Sequence, residues 1–387
     1  MAIVLFDNTN RKALFPLTST KAVGDLRVGI LTGKERWQLR TKEPVFIHTD
    51  SYLQDLYSAL PDEEHLWIDA SVLADDDLVV RIKNLRQGEA LADTSGLVAC
   101  RIYVDAASFD QSKALADCAE ICDVDNVIRL QYPWQIFACN DRMLREDFYL
   151  ITTGRTSESI SHRNQLTLDA DIFIEEGADV SFATLNSTTG PIYIGKNAVV
   201  MEGCVIRGPF AMGEGAVLKM GTKVYGATTI GPYCVAGGEI KNTIMQAYSN
   251  KAHDGYLGDS VIGEWCNLGA GTTNSNIKNT GGPVKMYAYN EDDFVAVGQK
   301  GGVIMGDYTR TAINTSINTG TVMGVCANVF GSGLSPKFIP AFSWGSGEKN
   351  GYNFEKALSD IENWKKLKHK TLTGAEAKVL KHIFDKQ

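Results

Sequence analysis

The sequence holds no long apolar run. No uninterrupted hydrophobic stretch approaches the roughly 20 residues of a membrane-spanning helix, so no membrane partner is expected. The opening residues, Met1 to Asp7, lack a basic flank, and their apolar segment is too short for a secretory leader, which predicts a cytoplasmic protein. Positive charge is also short. Lysine and arginine number 38 against 46 aspartates and glutamates, a formal net charge of −8. That excess of acid gives no footprint for nucleic acid or an anionic bilayer, although a few local cations can still hold a small phosphate. Metal-type cysteine spacing is missing too. The eight cysteines are scattered without a C-x-x-C pair and read as reduced, mostly buried thiols. Cys118 and Cys122, four apart, read as neighbours on one helix.

What is present is a repeat. From Ile194, steps of six give Val200, Ile206, Met212, Leu218, Val224, Ile230 and Ala236, all apolar. Two places earlier runs a second, mostly small column: Ile192, Ala198, Cys204, Phe210, Ala216, Thr222, Thr228 and Cys234. Glycine follows the large residue at Gly195, Gly213, Gly231 and Gly237. A period of six fits neither the 3.6 of a helix nor a hairpin meander. It suits a triangular coil with one short strand and one corner per hexad, the aliphatic residue pointing to the axis. The pattern slips after Lys241 and resumes at Leu257-Gly258. It is then interrupted by a polar, glycine-rich stretch from Thr272 to Pro283 and returns from Met305. An insertion of this kind is expected to project sideways, either as a functional loop or as a tolerated surface loop.

The flanks read differently. Ile3–Phe6, Val45–His48, Leu66–Ile68 and Leu97–Val104 read as strands, with helices between and after them, which predicts a parallel-sheet α/β domain. A helix running toward Phe148 would connect it to the repeats. Near the other end, Thr373 and Glu376 form a candidate capping box opening a last helix. The expected organisation is an α/β domain with its connector over 1–155, the coil over 156–345 and a helical segment over 346–387.

The densest stretch runs Asn250-Lys251-Ala252-His253-Asp254-Gly255-Tyr256-Leu257-Gly258-Asp259 and on to Asn267-Leu268-Gly269-Ala270-Gly271-Thr272. Tyr256 follows His253 by three places, Asn267 by fourteen and Asn276 by twenty-three. In these residues the chain resembles the bifunctional N-acetylglucosamine-1-phosphate uridylyltransferase/glucosamine-1-phosphate acetyltransferase family, whose acetyltransferase half is a left-handed parallel β-helix of hexapeptide repeats. The likeness is close over about thirty residues and loose over the repeats. It implies acetyl transfer from acetyl-coenzyme A to an amino-sugar phosphate, with His253 as general base. It further implies that Tyr256, Asn267 and Asn276 orient sugar and acetyl groups, that Lys241 contacts the sugar phosphate, and that Lys223 is nearest in spacing to the family's phosphate-binding arginine. A homotrimer is implied as well. The chain departs from the family at Ile277, where a tyrosine is usual, and at Gln299, where a serine stands near the acetyl group.

The front region resembles the sugar nucleotidyltransferases through Phe15-Pro16-Leu17-Thr18, through Leu26-Arg27-Val28-Gly29, and through Leu66-Trp67-Ile68-Asp69, whose last residue matches the family's metal-binding aspartate. The resemblance names Arg27, Lys34 and Asp69 as candidates, with Mg2+ at Asp69 if this part is active. Strand-end and surface polar residues are the plain alternative for all three. The glycine-rich phosphate loop is missing: Asp7-Asn8-Thr9-Asn10-Arg11-Lys12 stands in its place and the first glycine is Gly24. Three functions remain open, namely acetyl transfer to an amino-sugar phosphate, nucleotidyl transfer to a sugar phosphate, and non-catalytic trimeric binding of a nucleotide sugar.

Overall fold

A computed structural model of the chain describes residues 2–386 other than 62, 106–107, 168–170 and 346–350. At the front, β1 (Ala2–Phe6) is wholly buried between β2 (Val45–His48) and β3 (His65–Asp69), both parallel to it. With β4 (Glu89–Asp93), β5 (Gly96–Ile102) and β6 (Glu120–Asp123) they form a sheet ordered β2-β1-β3-β5-β4-β6. The expected parallel sheet is thus mixed, because β5 runs antiparallel to β3 and β4. The cause is local. Thr94 and Ser95 alone separate β4 from β5, Ser95 N–H bonds Asp93 Oδ1 at 2.8 Å, and Gly96 adopts φ 116°. So short a link can only reverse the chain, since a parallel return needs a crossover of about a dozen residues.

Helices α1 (Gly33–Thr41), α2 (Ser51–Gln54), α3 (Asp76–Lys83) and α4 (Gln111–Asp117) lie between these strands, and α5 (Gln135–Thr152) leads into the repeats. Cys118 and Cys122 share no helix. Cys118 has extended backbone at the end of α4 and Cys122 belongs to β6. All eight cysteines are free thiols.

From Gln165 the chain winds into a three-faced coil of parallel strands, consistent with a left-handed β-helix. The first face stacks Thr184–Asn186, Val205–Arg207, Lys223–Tyr225 and the opening halves of Glu239–Met245 and Tyr256–Ile262. The second takes Ile192–Ile194, Phe210–Met212, Thr228–Ile230, the closing halves of those two long strands, and Val303–Met305. The third stacks Val199–Val200, Val217–Leu218, Val235–Ala236, Asn250–Lys251, Asn267–Leu268 and Arg310–Thr311. The column of Ile194, Val200, Ile206, Met212, Leu218, Val224, Ile230 and Ala236 points inward and is at most 2% exposed. Each large member contributes about 1.5–3 kcal/mol by leaving water.

The slip after Lys241 has a physical reason. Register pairs Ile206 with Val224, but Val224 with Ile240 and Ile240 with Leu257, so the rungs shorten there. Asn242 and Asp259, at φ 46° and 48°, each turn a corner with one left-handed residue inside a continuous strand. The insertion differs from expectation as well. Thr273–Asn274 still belongs to the coil, and the excursion after it folds into a hairpin, Val284–Ala288 against Asp293–Gly298. Residues 277–283 stay mostly exposed, while one side of the hairpin packs inward. Val284, Met286 and Ala288 are buried, and the last two join the core between the coil and the front sheet.

That seam covers the second face. Outward-pointing Ile244, Val261, Ile304 and Val322 pack into the front domain's core. Asn140 of α5 bonds Ala227 O at 2.9 Å, and Arg36 of α1 pairs with Asp147 of α5 at 2.8 Å. Lys21 reaches Glu264 and Asp307 of the coil at 2.5 and 3.0 Å. At the far corner Tyr233, Tyr248 and Trp265, all near φ 57°, stack their rings. Helices α6 (Phe354–Lys366) and α7 (Gly374–Asp385) close over Trp265, Tyr308 and Phe342. The expected boundary after residue 345 abuts 346–350, outside the described residues. Among the described residues, no helix is long and apolar enough to cross a membrane.

Candidate functional site

The first face of the coil carries a polar cluster on the rungs that shorten. Register sets Lys223 beside Glu239 and Glu239 beside Tyr256, with Tyr225 beside Lys241. The Tyr225 hydroxyl donates to Glu239 Oε1 at 2.6 Å, a bond that, ahead of burial, pushes the phenol up to about 12. Lys241 Nζ lies 5.6 Å from the centre of the Tyr225 ring. Asn276 Nδ2 donates to the Tyr256 hydroxyl at 2.9 Å and to Asp259 Oδ2 at 2.5 Å, while Asn242 Nδ2 donates to Asp259 Oδ1 at 2.8 Å. Burial, and then the Asp259 carboxylate, raise the Tyr256 phenol well above its ordinary range, so it stays a neutral donor.

His253 stands exposed on the edge between the third and first faces, in the turn joining Asn250–Lys251 to Tyr256. Asn267 lies around that edge, half-buried on the third face and in register with Asn250 and Arg310. A single chain therefore joins Tyr256 to Asn276 and sets Lys241 and Lys223 on the same face. His253 stands at the rim and Asn267 beyond it. Asp259, Tyr225 and Glu239 complete the cluster, although the sequence pattern does not single them out. For Asp259 a signal exists, since it closes the segment that contains His253.

The front candidates are placed otherwise. Asp69 is buried, with Oδ1 accepting from Ser71 N–H and Oγ at 2.8 and 2.7 Å and Oδ2 accepting from Asn8 Nδ2 at 2.8 Å. Arg129 pairs with the same carboxylate. Burial raises the Asp69 pKa and Arg129 opposes that rise. These residues do not fit a magnesium ion, because a guanidinium holds the position a cation would take. Among the described residues no group of three or more His, Cys, Asp or Glu is arranged to hold a metal. Arg27 is buried in the seam: its N–H donates to Gln246 Oε1 at 2.7 Å and its carbonyl accepts Gln246 Nε2 at 3.0 Å. Its guanidinium turns back into the front domain, bonding the Ile30 carbonyl and pairing with Glu35 at 3.3 Å. Lys34, half-buried on α1, lines a cavity of about 380 Å³ with Lys21, Asp25, Glu264 and Asp307. A larger cavity, about 770 Å³, opens beside Asn8–Lys12 and takes in Tyr52, Tyr287, Tyr289 and His382. Gly24 serves packing, since a Cβ there would meet Ile47 Cδ1 at 2.8 Å.

Residues 3–156 match the sugar nucleotidyl transferase family model. The front segment is similar to that family. The chain is also similar to curated bifunctional proteins. It is 37% identical over 86 residues to the bifunctional protein GlmU of Methanocaldococcus jannaschii, covering 22% of this chain and 21% of that protein. It is 26% identical over 202 residues to the GlmU of Methanococcus vannielii, covering 50% and 40%. A third likeness, 33% over 93 residues, is to the bifunctional sugar-1-phosphate nucleotidylyltransferase/acetyltransferase of Sulfurisphaera tokodaii, covering 24% and 23%. The chain spans less than half the length of each of these relatives.

Proposed function

We propose that this chain is an acetyltransferase of nucleotide-sugar metabolism, moving acetyl from acetyl-coenzyme A to the amine of an amino-sugar phosphate. The observation that carries the reading is the Tyr256–Asn276–Asp259 cluster beside an exposed His253, with Lys241 and Lys223 on the same face. His253 removes a proton from the sugar amine as the nitrogen attacks the thioester carbonyl. The C–N bond forms, the C–S bond breaks, and the coenzyme A thiolate leaves and takes up a proton. Histidine suits this step because neutral imidazole is available as a base near neutral pH. Tyr256, Asn276 and Asn267 orient the sugar and acetyl groups by hydrogen bonds. Lys241 and Lys223 hold the phosphate as mobile point charges.

The protein is cytoplasmic and works as a homotrimer. Phe182, Met220 and Ile313 lie exposed in turns on the edge that carries His253, apolar surface that a second copy can cover. A second reading is supported by the 770 Å³ cavity: the front part binds a nucleotide sugar without turning it over.

The test is His253→Ala, assayed for coenzyme A release with a panel of amino-sugar phosphates. Fold and coenzyme A binding should persist while the rate falls by roughly 10²-fold or more. Near-normal turnover in this variant would make the histidine a structural corner residue.

A further inference from the structure

The third face of the coil presents an inward column that is apolar or neutral on every rung but one. Register aligns Val180, Val200, Leu218, Ala236 and Lys251, and then Leu268, Thr311 and Val329. Lys251 is 2% exposed, and burial pulls its pKa down to about 8, with Asp254 partly opposing. A lysine inside a β-coil is costly unless its ammonium finds partners. Lys251 Nζ finds two carbonyls, Gly237 O at 3.1 Å and His253 O at 2.5 Å.

The rung below is shaped to receive it. Ala236, directly in register, leaves room for the lysine stem. A Cβ on Gly237 would meet Ala252 O at 2.5 Å, and one on Gly238 would meet Gly255 O at 2.7 Å and His253 O at 3.0 Å. These glycines therefore let the two turns approach closely. Other turns on the same edge are held by neutral hydroxyls: Thr222 Oγ1 donates to Lys219 O at 2.5 Å and Thr272 Oγ1 to Ala312 O at 3.1 Å. A corner of this coil does not itself require a lysine.

We infer that Lys251 is a positioning residue for His253, its buried ammonium tying the His253 carbonyl to the preceding turn and so fixing where the imidazole stands. The inference rests on the acetyltransferase reading for its catalytic consequence, but not for the coupling itself. It is tested with Lys251→Met in the full chain. Met keeps the stem and removes the buried charge, so the melting temperature should hold or rise. The rate constant for acetyl transfer should fall by about 10- to 100-fold, as misplacement of a catalytic group does, with little change in the acceptor KM. In protein labelled with [13Cε1]histidine, the His253 signal, assigned by its loss in His253→Ala, should shift. A melting temperature that falls in step with activity, or a His253 signal and a rate constant both unchanged, overturns the assignment. If the wild-type chain acetylates no amino sugar, the functional reading fails by itself, and the histidine signal alone then decides whether Lys251 governs the turn.

Discussion

Asn276 shows how much of the candidate site hangs on one amide. Its Nδ2 serves both the Tyr256 hydroxyl and Asp259, and among the described residues no other side chain bonds both groups. Asn276→Ala should cost about 1–3 kcal/mol of stability, since Tyr256 is half-buried but Asp259 is buried and its carboxylate loses a partner. Acetyl transfer should fall by about tenfold or more, because Tyr256 then loses the bond that orients it. Paired thermal melts and kcat/KM measurements check this, and proportionate losses in both would argue for a purely structural amide. His253, Tyr256 and Asn276 are legible in the sequence because they share one short motif. Lys251 is not. It stands in that motif too, but its inward direction follows only from register with Ala236, which the slipped period conceals.

Elements are legible where one period governs them. The hexapeptide column marks the coil, and the capping box of Thr373 and Glu376 is present at the start of α7. The β5 reversal and the inward packing of Met286 and Ala288 in the hairpin at 284–298 are not legible as such, because the first depends on a two-residue turn and the second on partners in the distant front domain. The segment after β1 carries a functional consequence. Phosphate cradles use backbone N–H groups exposed by glycine, whereas here Arg11 fills the loop, donating to Thr18 O at 2.5 Å and Tyr52 Oη at 2.6 Å and pairing with Asp50 at 2.6 Å. Asp69 is likewise held by Arg129. Pyrophosphate release from a nucleoside triphosphate and a sugar phosphate, with magnesium present, should therefore be near background. Rapid release that is lost in Asp69→Asn would show that the Arg129 pair opens in use.

For the whole molecule, the decisive question is whether one chain makes a complete site. Asn276 and Lys241 are on the first face, Asn267 is on the third, and the edge bearing His253 runs between them. A substrate lying on the first face has the His253 edge between it and the Asn267 side of the same coil. It can touch the first face of one copy and the third face of the next where edges meet around a threefold axis. Sedimentation at micromolar concentration should accordingly give a trimer. Asn276→Ala and Asn267→Ala chains, each lowered about tenfold or more alone, should regain activity when unfolded together, mixed equally and refolded. Each site in a mixed trimer needs an intact first face from one chain and an intact third face from its neighbour, so random assembly restores about a quarter of wild-type activity. If the site belonged to a single chain, no mixture could restore it, because every chain would carry one defect. Activity that stays at the level of the separate variants, in a preparation where one variant carries 15N and mass then shows mixed trimers, would assign the whole site to one coil and remove the shared edge from the mechanism.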